Sequence, residues 1–158
     1  MALPEILARL KVDVQAASGV TAKTVHIGRR YVTERADFEK LHSDGTRIHA
    51  WYLYRSATEE EQEGSAGLVL RKHTLVCDGY YALLDPAKGT SMTTEVNFDA
   101  VIDAIMTSLR DDRTLNGTVQ DSDLPRVDFD NNWRQIAGVT LHRAVITIEN
   151  AEERILTT

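Results

Sequence analysis

The sequence lacks several features that assign small proteins to a class. It has one cysteine among 158 residues, Cys77, so no disulfide can form within the chain and a reducing compartment is expected. Its 3 prolines and 9 glycines form no low-complexity stretch, and no run of 18 apolar residues predicts a membrane-spanning helix. The first residues show no basic and apolar export signal, so we expect a protein that is neither secreted nor embedded in a membrane.

Basic residues are also few. The chain has 18 Lys and Arg against 24 Asp and Glu, a formal net charge of -6, and its longest basic runs are the pairs Arg29-Arg30 and Arg71-Lys72. A protein that binds DNA through the phosphates needs a larger basic patch, so specific nucleic-acid binding is not expected. The aromatic residues of 51–54, which could stack on bases, are interpreted as core and subunit contacts instead.

Catalytic and ligand-binding patterns are missing as well. The segment 64–67 (GSAG) lacks the Lys-Ser/Thr of a phosphate-binding loop. His73 precedes Cys77 by four residues on an expected strand, ~13 Å away, too far to activate the thiol, so Cys77 is interpreted as a core residue. A zinc site would need three of four strand histidines to converge, although none has a local ligand spacing: His26, His49, His73 and His142. We expect no enzyme and no cofactor or metal, with a small metal- or ligand-binding domain as an alternative.

What the sequence does contain is an ordinary globular composition, 42% hydrophobic and 27% charged. The length fits a single domain over residues 1–158 with its own core. Strand and helix patterns are interspersed rather than strictly alternating. This predicts an α+β fold with a mixed, largely antiparallel sheet.

The periodicity of apolar residues locates the elements. Helical spacing predicts a helix over residues 3–11 and a second over 97–111, with Asn97 as its N-cap. Strands are predicted over residues 20–27, 47–57, 68–81, 124–129 and 138–149, and one or two helical turns over 35–42. The acidic segment 59–65 is interpreted as a solvated hairpin connection, and 110–133 as a long irregular excursion of the kind that contacts partners.

Four segments in this order carry a resemblance to a known family. They are residues 47–55 (RIHAWYLYR), residues 71–81 (RKHTLVCDGYY), the helical segment 98–109 with the following 114–119 (TLNGTV), and residues 138–148 (GVTLHRAVITI). Together they resemble the tail terminator family of tailed bacteriophages and prophages, in particular the Mu-like tail completion, or tail-to-head joining, proteins. The resemblance spans about residues 3–153.

That resemblance implies a sheet flanked by two main helices and no catalysis. It implies a homohexameric ring on the head-proximal end of the tail tube, which ends tube polymerisation and offers a surface to the neck connector of the head. Such a protein assembles in the cytoplasm of the bacterial host and belongs to the virion, where DNA only passes through the lumen. Two segments, 59–64 and 121–130, are interpreted as specific to this chain.

A ring of identical subunits needs two different contact patches on each subunit. The candidate interface residues fall on three segments: Arg29, Arg30 and Tyr31 after the first strand, Glu59, Glu60 and Glu61 on the hairpin, and Trp133 and Arg134 before the last strand. The alternative within the virion is another neck or head-completion protein, which would bind the portal side instead of the tube.

Overall fold

The computed structural model describes residues 3–28, 40, 43, 47–64, 67–83, 91–129, 134–136 and 139–156. Two long helices lie in this part of the chain, α1 (Leu3–Ala16) and α2 (Ser91–Asp111), with a short 3-10 helix at Ala22–Thr24. The strands are β1 (Val25–Ile27), β2 (Arg47–Gln62), β3 (Leu68–Leu83), β4 (Arg126–Phe129), β5 (Arg134–Ile136) and β6 (Val139–Leu156). Among the helices described, none is long and apolar enough to cross a membrane.

One sheet in the order β1-β2-β3-β6-β4 organises the chain, and β5 pairs with the first residues of β6. The β1–β2 pair is parallel and every other described pair is antiparallel. The three long strands lie side by side because β2 and β3 form a hairpin and β6 returns along the other edge of β3. The expected α+β class, with a largely antiparallel sheet and two main helices, is confirmed.

Both helices pack on the same face of the sheet, which we call the helix face. In the strands, alternate residues point to this face, as the period of a strand requires. The core contains Leu53, Leu75, Cys77, Ile146 and Ile148 from the strands, Ile6, Leu10 and Val14 from α1, and Phe98, Ile102 and Ile105 from α2. The opposite face of the sheet, the second face, is also partly buried, since Ala50 and Val76 are inaccessible to solvent or nearly so.

Trp51 occupies the centre of the helix face. Its indole is fully buried, lies 5.9 Å from the Phe98 ring, and donates a 2.9 Å hydrogen bond from Nε1 to His49 Nε2. The facing residue in β3 is Gly79. A Cβ at this position would lie 2.5 Å from Trp51 Cη2 and 2.7 Å from Cε3, so only glycine leaves room for the ring.

The outer long strands each carry a bulge at the same level of β3. The β2–β3 register shifts between Arg55 and Ala57, and the β3–β6 register shifts between His73 and Leu75. On β6 the extra residue falls in the segment from Ile148 to Ala151, where Asn150 has a left-handed φ of 53°. A bulge bends its strand and increases the local twist. Two bulges at one level therefore favour a bend of the three strands there.

Several predicted boundaries are wrong, for identifiable reasons. Helix α1 continues past residue 11 to Ala16 because Val14 also packs in the core. Helix α2 begins at Ser91, so Asn97 lies inside the helix and is not its N-cap. In place of the strand over 20–27, the chain forms the 3-10 helix and the three residues of β1.

The largest correction concerns the acidic segment. Strand β2 continues to Gln62, so the glutamates 59–61 belong to a strand and not to a hairpin connection. Strand β6 likewise extends past residue 149 to Leu156. In the excursion 110–133 the strand expected over 124–129 is confirmed as β4. The helical turns predicted over 35–42 lie, except for residue 40, outside the described residues.

Candidate functional site

The outer parts of β2, β3 and β6 form a three-stranded extension, residues 55–63, 68–74 and 149–156, which we call the β-arm. All eight residues from Arg55 to Gln62 are exposed to solvent. The β-arm holds four basic and seven acidic residues, a formal charge of -3. Half of the net charge of the chain is therefore concentrated in this extension.

Ion pairs between neighbouring strands explain why an acidic run adopts strand structure here. Glutamates of β2 contact basic side chains of the strand beside it. Opposite charges on adjacent strands stabilise a sheet modestly. Because the pairs are largely exposed, each adds little free energy. The pairs between neighbouring strands are Glu60 with Arg71 (2.7 Å) and Glu61 with Lys72 (3.0 Å), and Glu63, just after β2, contacts Arg154 of β6 (2.9 Å).

A buried polar network joins the three strands at the base of the β-arm. His73 is fully buried, with Nδ1 3.0 Å from Thr58 Oγ1 on β2 and Nε2 3.1 Å from Glu153 Oε2 on β6. Burial of such groups is tolerated because they are hydrogen-bonded to one another. The hydroxyl, imidazole and carboxylate connect the strands, so His73 acts as a structural tie between β2, β3 and β6.

The outer edge of β2 is covered over only part of its length. Strand β1 pairs with residues 51–53, and Ser43 forms a bridge to Ile48. Beyond Leu53 no strand among the described residues pairs with this edge, and the exposed side chains of 55–62 show that the edge faces solvent. Unpaired backbone N–H and C=O groups on such an edge can accept a strand from another chain.

A second exposed edge lies on the other side of the sheet. Strand β4 ends the strand order and covers residues 144–147 of β6. Phe129 is 54% exposed, and the Arg126 side chain is 64% exposed. Nearby Leu124 is also exposed. This edge is short, partly apolar and unlike the acidic edge of β2.

The second face of the sheet carries a charged pair that the sequence did not indicate. Arg143 donates two hydrogen bonds to Asp78, of 3.0 and 2.9 Å, and Asp78 is almost completely buried. The guanidinium of Arg143 also lies over the Tyr80 ring, 5.8 Å from its centroid. Arg143 and Asp78 are 65 positions apart in the sequence, so only the β3–β6 pairing brings them together.

A further charged cluster joins the C-terminal ends of the helices. Arg9 contacts both Asp13 (3.0 Å) and Asp112 (3.1 Å), while Asp13 Oδ2 is buried and has no hydrogen-bond partner among the described residues. Burial, and then the neighbouring charge of Asp112, raise the pKa of Asp13 to about 7. The cluster was also not predicted, because Asp13 and Asp112 are far apart in sequence.

Only some of the predicted interface residues can be placed. Glu59, Glu60 and Glu61 lie on the exposed edge of the β-arm. Arg134 begins β5, which pairs with the first residues of β6. Arg29, Arg30, Tyr31 and Trp133 lie outside the described residues. Whether any of them contacts another subunit stays a prediction.

The alternative ligand-binding residues are distributed along the sheet. His26, His49, His73 and His142 lie on β1, β2, β3 and β6, and the described residues contain no group of three His, Cys, Asp or Glu side chains that could hold a metal. Burial raises the pKa of Cys77 to about 12, which leaves its thiol protonated and unreactive. Trp51 and Tyr52 are buried, so they are core residues and not an exposed stacking platform.

No protein-family model matches the chain, and no curated protein matches it.

Proposed function

We propose that this protein is a tail terminator of a tailed bacteriophage or prophage. In this proposal six copies form a ring on the head-proximal end of the tail tube, stop its polymerisation and present a joining surface to the neck connector. The ring assembles in the cytoplasm of the bacterial host and becomes part of the virion. The resemblance of residues 47–55, 71–81, 98–119 and 138–148 to that family is the starting point.

The observation that carries the proposal is the presence of two unlike exposed edges on one sheet. A closed ring of identical subunits requires that one patch of each subunit meets a different patch of the next. The acidic edge of β2 and the short edge of β4 lie on opposite sides of the sheet and differ in charge and in apolar character. A subunit with such edges has the two-sided design that a ring needs.

The charge of the chain agrees with a conduit for DNA. Six copies carry six times -6, or -36 formal charges. A ring of this charge repels the phosphates of a passing duplex instead of holding them. The β-arm supplies half of this charge, and Glu59, Glu60 and Glu61 on it are exposed.

Native mass spectrometry over a concentration series, with negative-stain images of the same samples, tests the oligomer. A ring gives a species of six times 17.7 kDa, about 106 kDa, with a central hole. Binding is then compared on tail tube protein and on portal protein. Capping of the tube supports the terminator, whereas binding to the portal alone identifies another neck component.

Charge reversal on the β-arm tests whether this surface serves assembly. The double substitution Glu59→Lys and Glu61→Lys is expected to leave the circular dichroism unchanged, because both side chains are exposed, but to abolish the ring or its capping of the tube. The matched control reverses two exposed acids on α2, Glu95→Lys and Asp103→Lys. Equal loss of assembly in both variants would point to net charge and not to the β-arm.

A further inference from the structure

We infer that the ring closes edge to edge, with residues 55–62 of β2 in one copy adding as a strand to β4 of the next copy. The inference rests on the proposed function and names the two surfaces that would meet. It predicts a continuous sheet that passes from subunit to subunit. The occupant of each exposed edge is therefore a second copy of this chain.

Strand direction permits this contact. Strand β4 is antiparallel to β6, β6 is antiparallel to β3, and β3 is antiparallel to β2. It follows that β4 runs antiparallel to β2 in the same sheet. Within one copy β4 lies level with residues 51–54 of β2, most of which β1 covers. When the next copy stands beside the first in the same orientation and is shifted along the strands, β4 and residues 55–62 of β2 become antiparallel neighbours and can form ladder hydrogen bonds.

Charge favours this unlike pairing over self-pairing of the β2 edges. Two β2 edges in antiparallel contact would place Glu59, Glu60 and Glu61 of one copy against the same residues of the other. Like charges directly opposite one another destabilise a strand pair. The acidic edge therefore rejects a copy of itself and needs a neighbour with a basic or neutral edge.

The edge of β4 meets that requirement on the correct face. Arg126 faces Thr147 of β6 and lies on the second face of the sheet, and its only ion pair among the described residues is an exposed contact of 3.3 Å with Asp128. Glu59 and Glu61, which face Lys72 and Leu70 of β3, lie on the same face. In a continuous sheet the guanidinium of Arg126 would stand beside these carboxylates of the next copy.

On the helix face, β4 contributes an apolar side chain to the same contact. Phe129 faces Ala144 of β6 and is half exposed at the rim of the sheet. A strand laid against β4 would cover part of this ring and gain the free energy of its burial. A ladder along four residues is short, so a single contact between two copies is weak. The ring is stabilised when it closes, because the last contact then forms between two edges already held in one assembly.

Cysteine cross-linking tests the geometry directly. Cys77 is buried, so engineered surface cysteines react alone. In a chain with Ala57→Cys and Asp128→Cys, both at exposed positions, a short bismaleimide is expected to give a ladder of covalent oligomers up to the hexamer. Either single variant should give no cross-linked dimer, because each edge meets a different edge. The control pair, Ala57→Cys with Asp103→Cys on α2, should give no ladder.

The outcomes separate this inference from the ring itself. A ring in native mass spectra without a ladder from the double variant overturns the edge contact and leaves the ring. A dimer from Ala57→Cys alone overturns the unlike pairing, since it shows β2 edges in contact. A chain that stays monomeric and gives no cross-link overturns both proposals.

A charge swap gives a second measurement. Arg126→Glu is expected to raise the concentration needed for ring assembly by about tenfold or more, because like charges would then face one another. Adding Glu59→Arg and Glu61→Arg in the same chain should restore assembly. Failure of the swap to restore it, with all variants folded by circular dichroism, contradicts the pairing of these faces.

Discussion

Replacing Gly79 by alanine tests the packing at the centre of the sheet, because two physical effects predict opposite signs. An alanine in a strand restricts the unfolded chain more than glycine does, which alone would stabilise the protein by about 0.5–1 kcal/mol. The added Cβ, however, would lie 2.5 Å from Trp51 Cη2, about 1 Å inside the usual contact distance. The outcome depends on whether the indole can move.

The surroundings of Trp51 leave the ring little freedom. Its Nε1 donates a hydrogen bond to His49, and the ring packs against Phe98 in a fully buried site. Overpacking costs about 1–3 kcal/mol, and loss of the hydrogen bond adds about 1 kcal/mol. The net expectation for Gly79→Ala is a loss of about 2 kcal/mol, which lowers Tm by about 4–8 °C for a chain of this length.

Urea unfolding followed by circular dichroism and tryptophan fluorescence measures this loss. The double variant Gly79→Ala with Trp51→Leu serves as the control, because the clash disappears with the indole. The double variant should then lose less free energy of unfolding than the two single variants lose in sum. A Gly79→Ala protein as stable as the parent would refute the reasoning, since it would show that the core yields to the methyl group without cost.

Three more predictions concern charged and polar groups. Because the pKa of Asp13 is raised to about 7, the native state keeps a proton that the unfolded state loses, so the free energy of unfolding falls as pH rises from about 4 to 7. Asp13→Asn should remove this pH dependence. In urea titrations the variant should therefore compare better with the parent at pH 8 than at pH 5. His73→Ala removes the tie between Thr58 and Glu153 and is expected to lower the free energy of unfolding by about 2–3 kcal/mol. Amide hydrogen exchange should become faster in the β-arm first. Unchanged exchange there would contradict the structural role of His73. Cys77 should resist a thiol reagent in the native protein and react fully in urea, and rapid native labelling would show that its burial is wrong.

Much of the fold could be predicted from the spacing of apolar residues, because that spacing reports which side of an element faces the core. It locates strands β2 and β3 and both helices. The charge of residues 59–61 predicts a connection instead, because charge in a sequence usually indicates solvent exposure. They are indeed exposed, but Arg71 and Lys72 on the adjacent strand make a charged strand favourable. No neighbour in the sequence reveals that pairing.

The polar clusters could not be predicted for the same reason. Arg143 meets Asp78 and Arg9 meets Asp112 only after distant segments pack together. Of the predicted interface, Glu59, Glu60 and Glu61 lie on an exposed edge, which is necessary for a contact but does not establish one. The β4 edge was missed because Arg126 and Phe129 have no distinctive pattern in the sequence.

The bulge in β2 separates the bend of the β-arm from the assignment of its surfaces. Because side chains alternate between faces, the extra residue between Arg55 and Ala57 places odd-numbered residues of β2 on the helix face before it and on the second face after it. Removal of Ser56 would leave Arg55, Ala57 and Thr58 opposite Leu75, Thr74 and His73, so Glu59 and Glu61 would stay on the second face. The strand therefore absorbs one inserted residue without exchanging the surfaces beyond it. An evolving subunit can gain or lose such a residue, and with it the bend of the strand, while the position of its acidic surface is preserved.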